Sequence, residues 1–318
     1  MYTGRVSADM TLDQLMISTI ERQATDVHIL VQPTHACVKW RCHGRLSEEQ
    51  LLPNGEILVN RIKILSELNI AETRRVQEGM FDYEHLNQRY SIRVSIVRSD
   101  KGEKLALRVL HSSISVLIDE LGLGNLALSA LKESIHLSNG LILVCGATGS
   151  GKTTTLYSCV QEINDGSRSI FTIEDPVEMP TDGIYQFEPN PALDISTHDL
   201  LKAFMRQDPD VIMVGEIRDA KTADLAISAA LTGHLVLATL HTNNPLNVVQ
   251  RCKNWQVDYF ALASSLRLII HQSMQYTNEN PQPKFTTIRP NWDKKLPSDY
   301  NDLIEQPSLW MYLDEDLI

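Results

Sequence analysis

Eight consecutive residues, Gly146 to Thr153, read GATGSGKT. Glycines at this spacing let backbone N–H groups curl around phosphate oxygens at a helix N-terminus. Lys152 would then reach the β- and γ-phosphates, and the Thr153 hydroxyl would serve Mg²⁺. The context fits this chemistry. LILVC before the motif reads as a buried strand, and TTLYSCVQEIN after it as a helix. The expected cradle comprises Gly146, Thr148, Gly149, Ser150, Gly151, Lys152, Thr153 and Thr154, with ATP and Mg²⁺ as the ligands.

Three further strand ends carry side chains suited to phosphoryl transfer. FTIED ends in Glu174 and Asp175. VIMVGE places Gly215 where an acid that serves magnesium usually stands, so the role must pass to Glu216 or to the neighbouring pair. One acid steadies the metal's water shell, and another orients the attacking water. Glu216 and Glu174 are the candidates. Arg218 has two readings, stabilising γ-phosphate charge or pairing with Asp219. TGHLVLATLHTN supplies His234 just before a strand and His241 at its end, where His241 would meet the γ-phosphate.

These residues need a particular scaffold. Apolar runs alternating with helical segments from Leu141 onward imply a mostly parallel sheet covered on both faces, with ligands at its carboxyl edge. The first third reads differently. A helix over 11–23 and another over 56–69 are interspersed with strands of antiparallel character, an α+β unit. The glycines of LGLGNLALSALKES mark a linker, which sets the boundary near residue 115. The expected organisation is an N-terminal domain over 1–114, an ATPase domain over 115–275 and an irregular tail over 276–318. Pro307 interrupts the tail's one helical segment. Trp310 and Tyr312 there have two readings, docking on a neighbour or a partly ordered terminus.

Composition narrows the field. The 318 residues carry a net charge of −11, with 43% hydrophobic and 22% charged residues. That balance is globular, and it disfavours direct nucleic-acid binding, which needs clustered Lys and Arg. The sequence begins without an apolar leader, and its longest apolar-leaning stretch is too short to span a bilayer. The expectation is a cytoplasmic protein whose membrane contact is peripheral. Five cysteines without a secretory signal argue against a disulfide framework. His35, Cys37, Cys42 and His43 admit a zinc reading, but a plain strand explains them better, because alternation separates Cys37 from Cys42.

MRQDPDVIMVGEIRD, Met205 to Asp219, resembles a signature of the "traffic" ATPases of type II secretion and type IV pilus assembly. TIEDPVE resembles that family's acidic box, TGHLVLATLHTN its histidine box and GATGSGKTTTLYS its phosphate loop. ATDVHI, KILSELNIAETRRVQEG and the SIRVS…GEKLALRVL pair follow its N-terminal pattern. The resemblance covers about residues 11–272. It implies a PAS-like N-terminal domain followed by a RecA-like ATPase domain, a homohexamer with ATP between subunits, and a polytopic membrane platform protein and pilins or pseudopilins as partners. It makes Glu216 and Glu174 the catalytic acids, places His241 and His234 in the histidine box, and has Arg93 and Arg108 reach the nucleotide from the small domain.

Retraction motors of this family typically read GPTGSGKSTT and AGEMRD. Lys152-Thr153-Thr154 and Val214-Gly215-Glu216-Ile217 instead resemble the assembly and secretion branch. The family's four-cysteine motif after the histidine box is reduced to Cys252, and a long extra N-terminal domain is absent from the sequence. Both features resemble the short competence pseudopilus ATPases of Gram-positive bacteria. HQSMQ, His271 to Gln275, departs from the family's AQRL segment.

Overall fold

A computed structural model describes residues 11–32, 35–42, 44–53, 55–86, 88–111, 116–276, 281–292 and 297–314. The chain divides into two units, Met1–Ile114 and Ser115–Ile318. Among the described residues, no helix is long and apolar enough to cross a membrane.

The first unit is α+β. Helix α1 (Leu12–Glu21) starts at a capping box in which Thr11 and Gln14 satisfy each other's backbone N–H groups. Strands β1 (Ala24–Val31), β2 (Ala36–Cys42), β3 (Arg45–Leu46) and β4 (Gln50–Leu52) follow, then α2 (Gly55–Leu65) and strands β5 (Gln77–His85), β6 (Gln88–Ser99) and β7 (Gly102–His111). The strands form one antiparallel sheet in the order β3-β2-β1-β7-β6-β5, with β4 on β2. Alternation sends Val27, Ile29, Ile92, Val94, Leu105 and Leu107 inward, where they pack with Leu15 and Met16 of α1 and Ile62 of α2. Several polar side chains that enter this interior find partners there. Trp40 donates its indole N–H to Thr19 Oγ1 at 2.9 Å, and the fully buried Lys63 meets Glu103 at 2.7 Å.

The second unit begins with α3 (Asn125–Ile135), β8 (Gly140–Cys145), α4 (Lys152–Glu162), β9 (Ile170–Ile173) and β10 (Ile184–Phe187). It continues through α5 (Thr197–Phe204), β11 (Val211–Val214), α6 (Ala220–Leu231), β12 (Leu235–Leu240), α7 (Leu246–Asn254) and α8 (Tyr259–Ser265). Strands β13 (Leu266–Tyr276) and β14 (Pro281–Pro290), helix α9 (Tyr300–Glu305) and strand β15 (Trp310–Tyr312) complete it. The sheet order is β10-β9-β11-β12-β8-β13-β14-β15, parallel from β10 to β13 and antiparallel beyond. Both faces are covered, and the pleat divides each strand between them. Leu141, Leu143 and Cys145 of β8 join one core, and Ile142 and Val144 join the other.

The segment expected to be an irregular tail is, where described, part of this sheet. Strand β14 pairs with β13 over Pro281–Ile288, and β15 closes the edge. Ile288, Leu303 and Trp310 are buried in one core, and Phe285 and Leu313 in the other. Prolines are usual breakers of regular structure, yet here they fit within a strand. Pro281 and Pro283 lie on the stretch of β14 that pairs only with β13, so each missing N–H can face the open side.

Candidate functional site

Residues 146–151 bridge β8 to α4. Gly146, Gly149 and Gly151 all have φ in the left-handed region, at 153°, 77° and 87°. At Gly146 a Cβ would lie 2.1 Å from the Gln272 carbonyl oxygen and 2.6 Å from Ser150 Oγ, so only glycine fits. Thr148 and Gly149 are exposed at the turn, Thr153 is half-buried and Thr154 is exposed. Lys152 opens α4, and its Nζ donates to the Gly146 and Ala147 carbonyls at 3.1 and 2.8 Å. Burial lowers its pKa from the ordinary lysine value, with Glu216 and Cys145 opposing the shift.

This loop fits a phosphate group on two observations. Ser150 Oγ is buried without a hydrogen-bond partner, and the glycine backbone leaves a cradle that a Cβ would fill.

Three strand ends meet a few residues from the loop. Glu216 follows β11 by two residues and His241 directly follows β12; Asp175 lies two residues beyond β9. Glu216 takes Arg218 Nε on one oxygen at 2.7 Å and His241 Nε2 on the other at 3.0 Å. Arg218 also reaches Asp175 at 3.3 Å. Its hydrogen bond to Glu216 raises the guanidinium pKa further. The alternative partner, Asp219, is engaged elsewhere: it caps α6 by accepting from the Thr222 N–H at 2.9 Å. Gly215 lies where β11 runs close to β9. Its N–H donates to the Ile173 carbonyl at 2.8 Å, and a Cβ there would lie 3.1 Å from that same oxygen, so a larger residue would need the neighbouring backbone to give by a few tenths of an ångström.

Glu174 makes none of these ion pairs. It is buried at 4% exposure and accepts hydrogen bonds from the Tyr157 hydroxyl, from Thr172 Oγ1 at 2.6 Å and from Gln186 Nε2 at 3.0 Å.

His234 does not join the site within this chain, which corrects the expectation that placed it with the catalytic groups. It precedes β12 at the amino edge of the sheet, where its carbonyl accepts from the Gly140 N–H and its Nδ1 lies 3.0 Å from the Ala229 carbonyl. Seven residues of extended chain separate it from His241, about 23 Å at ~3.3 Å per residue.

Arg93 and Arg108 belong to the first unit and face each other across β6 and β7. Each meets a carboxylate of its own unit. Arg108 Nε is 2.9 Å from Asp26, and Arg93 is 3.7 Å from Glu78. Cys37 and Cys42 are half-buried strand residues, and no metal-holding group of His, Cys, Asp and Glu occurs among the described residues. His43 of the zinc reading lies outside them.

Gln272 was missed from sequence. It is buried on β13 beside the loop, and its Oε1 accepts from Thr155 Oγ1 of α4 at 2.8 Å. The available signal was its place just after the apolar LII of LRLIIHQSM, inside the HQSMQ segment that departs from the family pattern.

Comparison with known proteins places these features in context. The family model described as "Type II/IV secretion system protein" matches residues 4–299. A type II secretion system protein E from Dickeya dadantii is 39% identical over 270 residues, covering 84% of this chain and 54% of its own length. A type II secretion system ATPase E from Vibrio cholerae is 38% identical over 270 residues, with the same coverage of 84% and 54%. The chain thus spans about half the length of these curated relatives. Among solved structures, the pilus retraction motor PilT with bound ADP superimposes with a TM-score of 0.73 at 29% identity, covering 93% of this chain and 87% of that one.

Proposed function

The chain belongs to the type II/IV secretion system protein family, and we propose that it is an ATP-hydrolysing motor that drives assembly of a secretion or pilus-type filament. One observation carries this reading. The glycine loop with its buried lysine and orphaned Ser150 hydroxyl lies on the same sheet edge as Glu216, Arg218, His241 and Asp175. An open parallel sheet binds ligands at this edge. The relative named an ATPase and the ADP held by the PilT structure support the same chemistry.

In this reading, water adds to the γ-phosphorus, the bond to the bridging oxygen breaks and ADP leaves. The loop N–H groups and Lys152 bind the phosphates. Glu174 orients the water and takes its proton. Arg218 and His241 face the charge that develops on the transferred group. Mg²⁺, held by Thr153 with Glu216 steadying its water shell, would neutralise phosphate charge. Arg93 and Arg108 would supply cations to a neighbouring subunit's nucleotide in a homohexamer. The motor's work would pass to a membrane platform protein and through it to pilins or pseudopilins, from the cytoplasmic face of the membrane. The net charge of −11 disfavours a nucleic-acid translocase.

Two experiments test this. The purified protein should release phosphate from ATP only with Mg²⁺, and Glu216→Gln should lower kcat by about 10²-fold or more. No phosphate release, or full turnover by Glu216→Gln, contradicts the assignment. Gene deletion in the host, with surface pili, secretion and DNA uptake scored together, identifies the branch. Lost filaments support assembly, with loss of DNA uptake pointing to competence. Excess pili would mean retraction.

A further inference from the structure

Glu174 is a carboxylate taken almost out of water, and its hydrogen bonds come from three different elements. Thr172 donates from β9, Gln186 from β10 and Tyr157 from α4. The Tyr157 contact differs in kind from the other two. Helix α4 begins with Lys152, which binds the phosphates in the proposed reaction, and Thr153, which would hold Mg²⁺. Tyr157 lies five residues further on, about 7.5 Å along the axis. Its hydroxyl is therefore a direct tie between the phosphate loop's own helix and the carboxylate that follows β9.

The surroundings fix this hydroxyl. Tyr157 is 3% exposed. Its oxygen accepts from the Met179 N–H at 3.3 Å and from Gln186 Nε2 at 3.2 Å, which leaves its proton to point at Glu174. Gln186 is held in turn, donating to the Met179 carbonyl at 2.9 Å and accepting from the Thr181 N–H at 2.7 Å. Burial, reinforced by the Glu174 charge, drives the phenol pKa far above its usual value, so the group stays a donor at any working pH. Phenylalanine would fill the same space and leave the carboxylate with one fewer donor.

We infer that Tyr157 is a positioning residue: its hydroxyl ties the Glu174 carboxylate to the helix that follows the phosphate loop and so governs the chemical step without touching the nucleotide. The inference rests on Glu174 being the water-orienting acid. Rates respond steeply to such placement, with misalignment of about 1 Å costing up to ~10²-fold.

The test is a double-mutant cycle on steady-state ATP hydrolysis, with Mg·ADP affinity and thermal stability measured on each protein. Tyr157→Phe should lower kcat by about tenfold or more while KM for ATP and affinity for Mg·ADP stay within about twofold. In a Glu174→Gln background, the same change should move kcat by less than about twofold, because both act through one carboxylate. A purely structural role would move KM, ADP affinity and stability together, and its effect would persist in that background. Normal turnover by Tyr157→Phe, or additive losses, overturns the inference and leaves the role of Glu174 standing. Full turnover by Glu174→Gln alone overturns the underlying reading, and the inference with it. If Tyr157→Phe does not fold, Gln186→Met decides. It removes the donor shared by Tyr157 and Glu174, and it should lower kcat with KM kept; an unchanged kcat overturns the inference.

Discussion

The two units use the same charged groups in opposite ways. In the first, cations and carboxylates meet along or against the strands of an antiparallel sheet, as Arg108 with Asp26, Arg93 with Glu78 and, from helix α2, Lys63 with Glu103. Each pair joins residues already fixed by strand register or helix packing. In the second, Glu216, Arg218, His241 and Asp175 stand just beyond the ends of parallel strands, beside a loop with an unpartnered hydroxyl. A parallel sheet gathers the carboxyl ends of its strands on one edge, and turns there are free to carry polar groups. Topology, more than residue type, decides which charges pair within a sheet and which gather at its edge.

Four substitutions sharpen or break that contrast. The largest effect belongs to the sheet edge. Lys152→Ala should reduce ATP turnover by about 10²–10³-fold, the loss for one charged donor to a transferring group, and stability should change far less. Retained turnover would remove the edge from the chemistry. Lys63→Ala should do the reverse. It leaves Glu103, itself 14% exposed, without its partner, and urea unfolding should show about 3–5 kcal/mol of lost stability. Trp310→Ala should cost about 3–5 kcal/mol in the same assay, because this buried indole anchors the last strand and donates to the Leu303 carbonyl at 2.7 Å. A change within error would mean that β15 contributes little to the second unit.

The smallest effect is acid sensitivity. Burial alone would raise the Asp26 pKa, but hydrogen bonds from Arg108 and Thr25 outweigh it and hold the carboxyl below its ordinary 3.8. A depressed carboxyl stabilises the fold fully above its unfolded value, and the contribution fades as pH falls through the folded one. Asp26→Asn should therefore lower the melting temperature at neutral pH by a few degrees and flatten its decline below about pH 4. An unaltered pH profile would show that the Arg108–Asp26 pair is energetically idle.

The legible parts of the site share one property. The phosphate loop is written in eight consecutive residues, and Glu216 and His241 end apolar runs whose strand character is plain. What sequence could not give depends on which strands lie side by side. Gln272 reaches the loop because β13 pairs with β8, and Arg218 finds Asp175 because β11 pairs with β9. Tyr157 is spaced like any buried helix residue, and nothing local shows that a carboxylate faces it. His234 illustrates a limit of motif reading: its place before the strand was legible, but sharing a box with His241 grouped it with residues at the strand's other end. The C-terminal region was obscured by its prolines, although alternation around Phe285 and Thr287 was present in the sequence.

The most direct test is a calorimetric titration of Mg·ADP into the purified protein and into Lys152→Ala. Saturable binding by the first, weakened at least about tenfold in the second with an unchanged melting temperature, is the predicted result. Equal affinity in both proteins would place the nucleotide elsewhere and contradict the assignment of the sheet edge.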